Sequence, residues 1–554
     1  MKKYIYSLLC AATMLFASSC DLDLLDNPNA VTASTASPDF LLNRIQLDYK
    51  DFYQGISNTG MDLTRITNQG SAQYESAYTT SSTNGWWNNS YANILADIKF
   101  LEPLAIEGGL QRHLGISKTI KAMVMFNLVD VYGDVPYSEA LDAGNFNPKV
   151  DGGKSIYEAA FATLNEAAAH FTGTSAGSPN DYFYGRNYTR WIKLINTLKL
   201  RYYLNLRLTD EAGSKAGIAA LVAENNMLGT GDDFAFKFGT SSANPDSRHG
   251  DYVDSYTSGG GTYHSTFYMW HMTEAKGFDD PRARFYWYRQ VTENSTSVDE
   301  IECISQIAPP HYLSGGFIYC LPGTRGYWGR DHLDPDGVPP DGLKRTMWGL
   351  YPVGGRFDDN SAKPTNSTSL GAQGKGLYPI MLAAYVDFML AEYALEINND
   401  AAAAKAYLLS GITKHMSYVK SYALGTQEAG SINAYFAKQS TTLDQDIAAY
   451  IAFVASQYDS AGPGNPLLPS KMYVIGREYW LSLFGNGVES YNLYKRTGEP
   501  GNMQPGLEQN AGDFPRSFLY PNVYMVTNTN ASQKSGLSAQ VFWDTNPAGN
   551  SWVY

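Results

Sequence analysis

Two aromatic stretches of the 554-residue chain carry side chains suited to hold a polar ligand. SSTNGWWNNS (81–90) sets Trp86 and Trp87 beside Asn88 among Gly, Asn and Ser; TRGYWGR (324–330) sets Tyr327 and Trp328 between glycines and arginines. Sugar rings present flat C–H faces that stack on aromatic rings, and hydroxyls that bond amides, carboxylates and guanidiniums. A site of that kind needs exposed Trp or Tyr beside Asn, Asp or Arg, on loops held by a rigid scaffold. Successive side chains of a regular element do not share one face, so the sequence predicts that Trp86 and Trp87 form an exposed loop just before a helix. Tyr263, Tyr74 and Arg65 are secondary candidates for ligand contact. The competing reading of each aromatic is a ring that pins its loop to the core.

Other chemistry is sparse. Asp331, Asp334, Asp336 and Asp341 lie in an Asp/Gly-rich stretch whose oxygens could ligate calcium. Calcium-loop spacing is only partly matched, by Asp334-Pro335-Asp336-Gly337, and turn residues explain the same composition. The expectation is therefore no cofactor, with calcium as the alternative. The chain has no G-x-S-x-G, H-E-x-x-H or G-x-x-x-x-G-K-[ST] pattern. Paired carboxylates for glycoside hydrolysis are defined by a separation of about 5–10 Å in space, which sequence does not fix. The chain is expected to be non-catalytic.

The N-terminus reads as an export signal. Two lysines precede a short apolar run (4–16) and Ala17-Ser18-Ser19, directly before Cys20. The run is too short to span a bilayer. The pattern resembles a bacterial lipoprotein signal, so 1–19 would be removed and Cys20 lipidated. Residues 20–37 then form a flexible tether, and Asp21, Asp23 and Asp26 resemble a surface-export signal. Cys303 and Cys320 remain; an exported compartment permits a disulfide, and their spacing allows one without showing it. The net charge is −13, or −15 once Lys2 and Lys3 are gone. That excess of acid argues against nucleic acid and against docking on anionic lipid.

These candidates need elements to position them. Apolar residues recur at helical spacing over 88–106, 111–132, 154–171, 188–208, 379–397, 400–420, 440–457 and 471–494. Most fall into consecutive pairs, which suggests tetratricopeptide-like hairpins. Between about 225 and 378, Gly, Pro, Tyr, Ser and Asp dominate, as in TSGGGTYHST, and this composition makes loops and short strands. The predicted fold is mainly α: one domain over 38–554, with a helical scaffold at about 38–224 and 379–500 and an irregular lobe at about 225–378.

Several segments carry a family resemblance: NLVDVYGDVPYSEAL (127–141), PKVDGGKSIYEAAFATLNEA (148–167), YTRWIKLINTLKLRYYLNL (188–206), DDPRARF (279–285), IMLAAYVDFMLAEYAL (380–395), YLLSGI (407–412), VIGREYWLSLFGNGVESYNLYKRTGEP (474–500) and VFWDT (541–545). Their order, with the N-terminal signal, resembles the SusD/RagB family of outer-membrane lipoproteins. The resemblance implies a tetratricopeptide-like scaffold, a lipid-anchored place on the outer-membrane surface, and a SusC-like TonB-dependent porin as partner. It also implies capture of an oligosaccharide, or of a peptide as on the RagB side of the family, for delivery into the pore. In glycan-binding members a Trp-bearing loop forms part of an aromatic arc, which Trp86, Trp87 and Asn88 match by position.

Overall fold

The computed structural model describes residues 37–257, 261–335, 344–365, 367 and 369–547. Cys20 and the acids that follow it, with Asp336 and Asp341, lie outside the described residues. Helices dominate. α1 (Pro38–Leu63) starts with a proline, whose missing N–H is one the first turn leaves unbonded anyway. It buries Leu42, Ile45, Tyr49, Phe52 and Ile56, spaced three or four apart, with Tyr53 beside them. A short helix (Asn84–Asn88) runs through a π-helical turn (Asn89–Leu95) into α2 (Ala96–Glu107). α3 (Gln111–Tyr132) ends at Gly133, whose φ of 79° suits glycine. α4 (Gly153–Thr172), α5 (Tyr188–Leu206) and α6 (Glu211–Glu224) follow.

The irregular lobe holds α7 (Thr266–Thr273) and four short strands. β1 (Phe234–Lys237) pairs antiparallel with β4 (Leu377–Met381), and β2 (Trp287–Tyr288) with β3 (Met347–Trp348). The β1–β4 pair clips the two ends of the lobe together where it leaves and rejoins the scaffold. Beyond it come α8 (Ala383–Glu396), α9 (Ala401–Leu424), α10 (Leu443–Ser460), α11 (Lys471–Ser482) and α12 (Gly487–Thr497).

The mainly helical prediction holds, with two differences. The most extensive pairings are α3 with α4 and α8 with α9, so the first hairpin falls one element later than the sequence spacing suggested. The stretch expected as one helix over 471–494 is two. Gly485, at φ 94°, turns the chain, and Asn486 restarts it by accepting a hydrogen bond from Glu489 N at 3.1 Å. α12 then lies hard against α1: a Cβ on Gly60 would stand 2.1 Å from Gly487 O.

The segments that carry the family resemblance meet in the core. Asp130 accepts from Tyr157 Oη, from Asn492 Nδ2 at 2.8 Å and from Trp543 Nε1 at 3.0 Å. Arg496 grips Glu392 with two bonds of 2.8 Å and reaches Asn205 Oδ1 at 2.8 Å. Arg201 pairs with Glu489 at 2.8 Å. Burial alone would raise the Glu392 carboxyl, but Arg496 and Arg207 outweigh it and hold it below its ordinary value. These motifs build the scaffold.

Candidate functional site

α1 ends where the lobe begins, and the chain leaving it joins a small ladder. Thr67 bridges His264 antiparallel, and Ser265 bridges Arg330 in parallel. Asn68 N donates to Tyr263 O at 2.9 Å, and Arg330 N to His264 O at 3.0 Å. Trp328 O accepts from Thr346 N at 2.9 Å, which ties the ladder to the strand pair β2–β3. Gly329 is required here, since a Cβ would stand 2.2 Å from His264 O. The ladder sets the Tyr263 ring, which is half-buried, beside two guanidiniums, Arg330 at 4.3 Å and Arg345 at 5.0 Å from its centre. Such contacts are worth about 0.5–1 kcal/mol each at exposed sites, so the ring is a pre-set platform.

Tyr263 lines a cavity of 240 Å³ with Asn58 and Asp62 of α1, Asn68, Asp251 and Trp348. The cavity narrows into a crevice that shares Asn58, Asp251 and Trp348 and reaches His249 and Tyr378. Three buried atoms along this path have no hydrogen-bond partner: Trp348 Nε1, His249 Nε2 and Asn68 Oδ1. His249 Nδ1 accepts from Asp251 N at 3.2 Å, so the ring proton sits on Nε2. Burial pushes this imidazole down to about 3, which keeps it neutral. An unpaired buried polar group costs about 1–3 kcal/mol, so a ligand that pairs these atoms gains what the empty site forgoes.

The two carboxyls are recessed but touched by solvent from the cavity. Burial, then the charge of Asp251, pushes Asp62 up to about 7 against a bond from Thr67 Oγ1 at 2.6 Å. Burial, then Asp254, pushes Asp251 up to about 7. Near neutrality each can donate a hydrogen bond as an acid or accept one as an anion. Among the described residues no lysine or arginine lines the cavity. An aromatic face beside neutral donors and acceptors suits an uncharged polyhydroxylated ligand.

The family described as starch-binding and associating with the outer membrane matches residues 28–306. The chain belongs to the SusD-like family. Its fold resembles that of a chitin-binding protein at 20% identity and TM-score 0.63, covering 92% of this chain and 100% of the other. A chitin-binding SusD homologue from Flavobacterium johnsoniae aligns at 17% identity and TM-score 0.60, covering 92% and 98%. A SusD/RagB family protein from Bacteroides thetaiotaomicron aligns at 16% and 0.62, covering 92% and 99%. No curated protein matches the chain.

Of the aromatic and Arg/Asn residues singled out in the sequence, only Tyr263 lines this cavity of the SusD-like protein. Trp86 and Trp87 are helical, not in a loop. Trp87 is buried, stacked on Tyr524 at 4.4 Å and edge-on to Tyr132 at 5.5 Å. Trp86 lies sideways, 5.2 Å from Phe518 and over Gly55, where a Cβ would stand 2.7 Å from Nε1. Asn88 is exposed beside them. Trp328 is 3% exposed, and its backbone N–H donates to Thr346 Oγ1 at 2.8 Å. Tyr327 is buried under Arg289 at 5.0 Å, on a different cavity of 270 Å³. Tyr74 and Arg65 are buried and joined at 3.0 Å, with Arg65 Nε donating to Gln504 O at 2.8 Å. The rings of Trp87, Trp328, Tyr327 and Tyr74, with Arg65, hold segments to the core, so the stacking role expected of them does not fit their burial, whereas Trp86 is half-buried.

Asp331 is likewise engaged inward, accepting from Cys320 N at 2.7 Å and Gln504 Nε2 at 2.9 Å. Asp334 stands 3.9 Å from Arg330. Among the described residues no group of three His, Cys, Asp or Glu could hold a metal ion. Cys303 and Cys320 are joined as a disulfide, with Cα atoms 5.8 Å apart. The site residues the sequence reading missed are Asp62, Asn68, His249, Asp251 and Trp348. The one available signal was MDLTRITNQG, where an acid and amides directly follow the periodic face of α1.

Proposed function

We propose that this SusD-like protein binds a neutral oligosaccharide at the Tyr263 cavity and passes it, without cleaving it, to a SusC-like TonB-dependent porin. The protein works at the cell surface, held in the outer membrane by lipid on Cys20. The observation that carries the binding step is the half-buried Tyr263 ring, held by two guanidiniums beside a crevice of unpartnered donors and acceptors. The ligand class draws support from the family description, which names starch, and from two similar structures described as chitin-binding. Both polymers are built of uncharged pyranose rings. A peptide ligand, the other possibility within the family, would call for charge pockets of both signs, and among the described residues no lysine or arginine lines this cavity.

The test is titration of neutral oligosaccharides and of unstructured peptides into wild type and Tyr263→Ala. Aromatic truncation at a binding hot spot costs about 2 kcal/mol or more, roughly thirtyfold in affinity. Glycan binding should fall by at least that factor while helical circular dichroism is kept. Unchanged glycan affinity in the folded variant, or peptide binding alone, overturns the proposal.

A further inference from the structure

A separate cavity of 400 Å³ lies where α7 meets α11, the turn at 465–469 and the segment 499–502. It shares no lining residue with the Tyr263 cavity. Its size falls in the range of about 300–1,000 Å³ typical of small-molecule sites. Four aromatic rings line it: Phe267 and the half-buried Trp270 on α7, Tyr473 on α11, and Phe317.

Three of its polar side chains, His271, Glu499 and Gln457, are uncharged near pH 7. His271 is 5% exposed, and its Nδ1 has no hydrogen-bond partner. Burial, reinforced by Arg477 and Lys276, holds that imidazole well below its ordinary value, so it is uncharged. Burial pushes the Glu499 carboxyl up to about 8, so it is a neutral acid that can donate as well as accept. Gln457 Oε1 accepts from Arg477, and its amide NH2 donates to no described residue. The two cations on the wall are already paired, Lys276 with Asp280 at 3.0 Å and Arg477 with Glu478 at 3.0 Å. A charged ligand would find no free counter-charge here. A purely apolar one would leave His271 Nδ1 unpaired at the cost of a lost hydrogen bond.

We infer that this cavity is a second carbohydrate site, which takes one neutral pyranose ring against Trp270 while His271, Gln457 and Glu499 bond its hydroxyl or acetamido groups. Its ligand class rests on the carbohydrate reading above; its place does not. Two short sites on one chain would grip a long glycan at two points and raise its effective affinity without any new contact.

The test is calorimetric titration at pH 7 of the whole mature protein with two short probes, an N-acetylglucosamine dimer and maltose. At least one probe should bind wild type with two equivalents, and Trp270→Ala and Tyr263→Ala with one each. Ala275→Phe, which adds a ring to the cavity wall without removing a packing contact, should also remove one equivalent and covers the case of a misfolded Trp270 variant. The site's own affinity should fall at least roughly thirtyfold. One equivalent in wild type, kept by Trp270→Ala and Ala275→Phe but lost in Tyr263→Ala, overturns this inference and leaves the main site standing. The reverse pattern supports this site and overturns the Tyr263 assignment. No binding of either probe at millimolar concentration overturns both.

Discussion

The paired carboxyls of the Tyr263 cavity should make the empty protein less stable as pH rises. Asp62 moves from an ordinary 3.8 to about 7 on folding, and Asp251 does the same. Between those two pH values the folded state holds a proton that the unfolded state has released. Stability therefore falls as pH climbs through that window, and stays at its lower level above about 7. Each pH unit is worth about 1.4 kcal/mol per proton, which sets an upper limit of about 4 kcal/mol for one carboxyl. Solvent entering the cavity screens the charge, so about 1–2 kcal/mol is expected. Asp62→Asn removes the titrating group and keeps its shape. The variant should match wild type at pH 3 and be about 1–2 kcal/mol more stable at pH 8, read from urea unfolding midpoints. The comparison with wild type cancels the other displaced groups, such as Asp331 and Glu499. An equal difference between variant and wild type at both pH values would refute the reasoning.

Two further outcomes follow from the packing and from the proposed anchorage. Trp87→Ala and Trp328→Ala should each cost about 3–5 kcal/mol of stability, seen as lowered thermal midpoints; a variant that kept wild-type stability and lost only glycan binding would restore the exposed-loop reading. Cys20→Ala should leave unprocessed or soluble protein and end co-purification with a TonB-dependent porin from gently solubilised membranes, whereas an unchanged detergent-phase fraction would count against lipidation.

The scaffold was legible because helices announce themselves locally. α3, α5 and α9 repeat their apolar residues every three or four positions, and the glycine that ends α3 lies in the next position. α1 carries the same pattern in Leu42, Ile45, Tyr49, Phe52 and Ile56, although the reading above named no helix there. The site was less legible because its members are far apart in the chain. Asp62 and Asp251, or Asn68 and Trp348, share a wall only after the lobe folds back on α1. The Trp86–Trp87 pair misled for a related reason. The space that receives the Trp86 ring is made by Gly55, a partner on another helix that spacing does not reveal. The motifs most easily recognised, Asp130, Arg201, Glu392 and Arg496 among them, are buried in the scaffold and say nothing of the ligand.

α1 has one more consequence. Its 26 residues, at 1.5 Å each, make a rod about 39 Å long. One end meets the tether that the proposed anchor would hold; the other supplies Asn58 and Asp62 to the binding cavity. Near that end, Gly60 and Gly487 bring α1 and α12 into backbone contact, with Ser57 Oγ accepting from Gly487 N at 2.9 Å. A pull on the tether, from thermal motion of the membrane or from a porin gripping the protein, would travel along one stiff element to the cavity wall and cross no loop on the way. Mechanical load and ligand occupancy would thus act on the same helix.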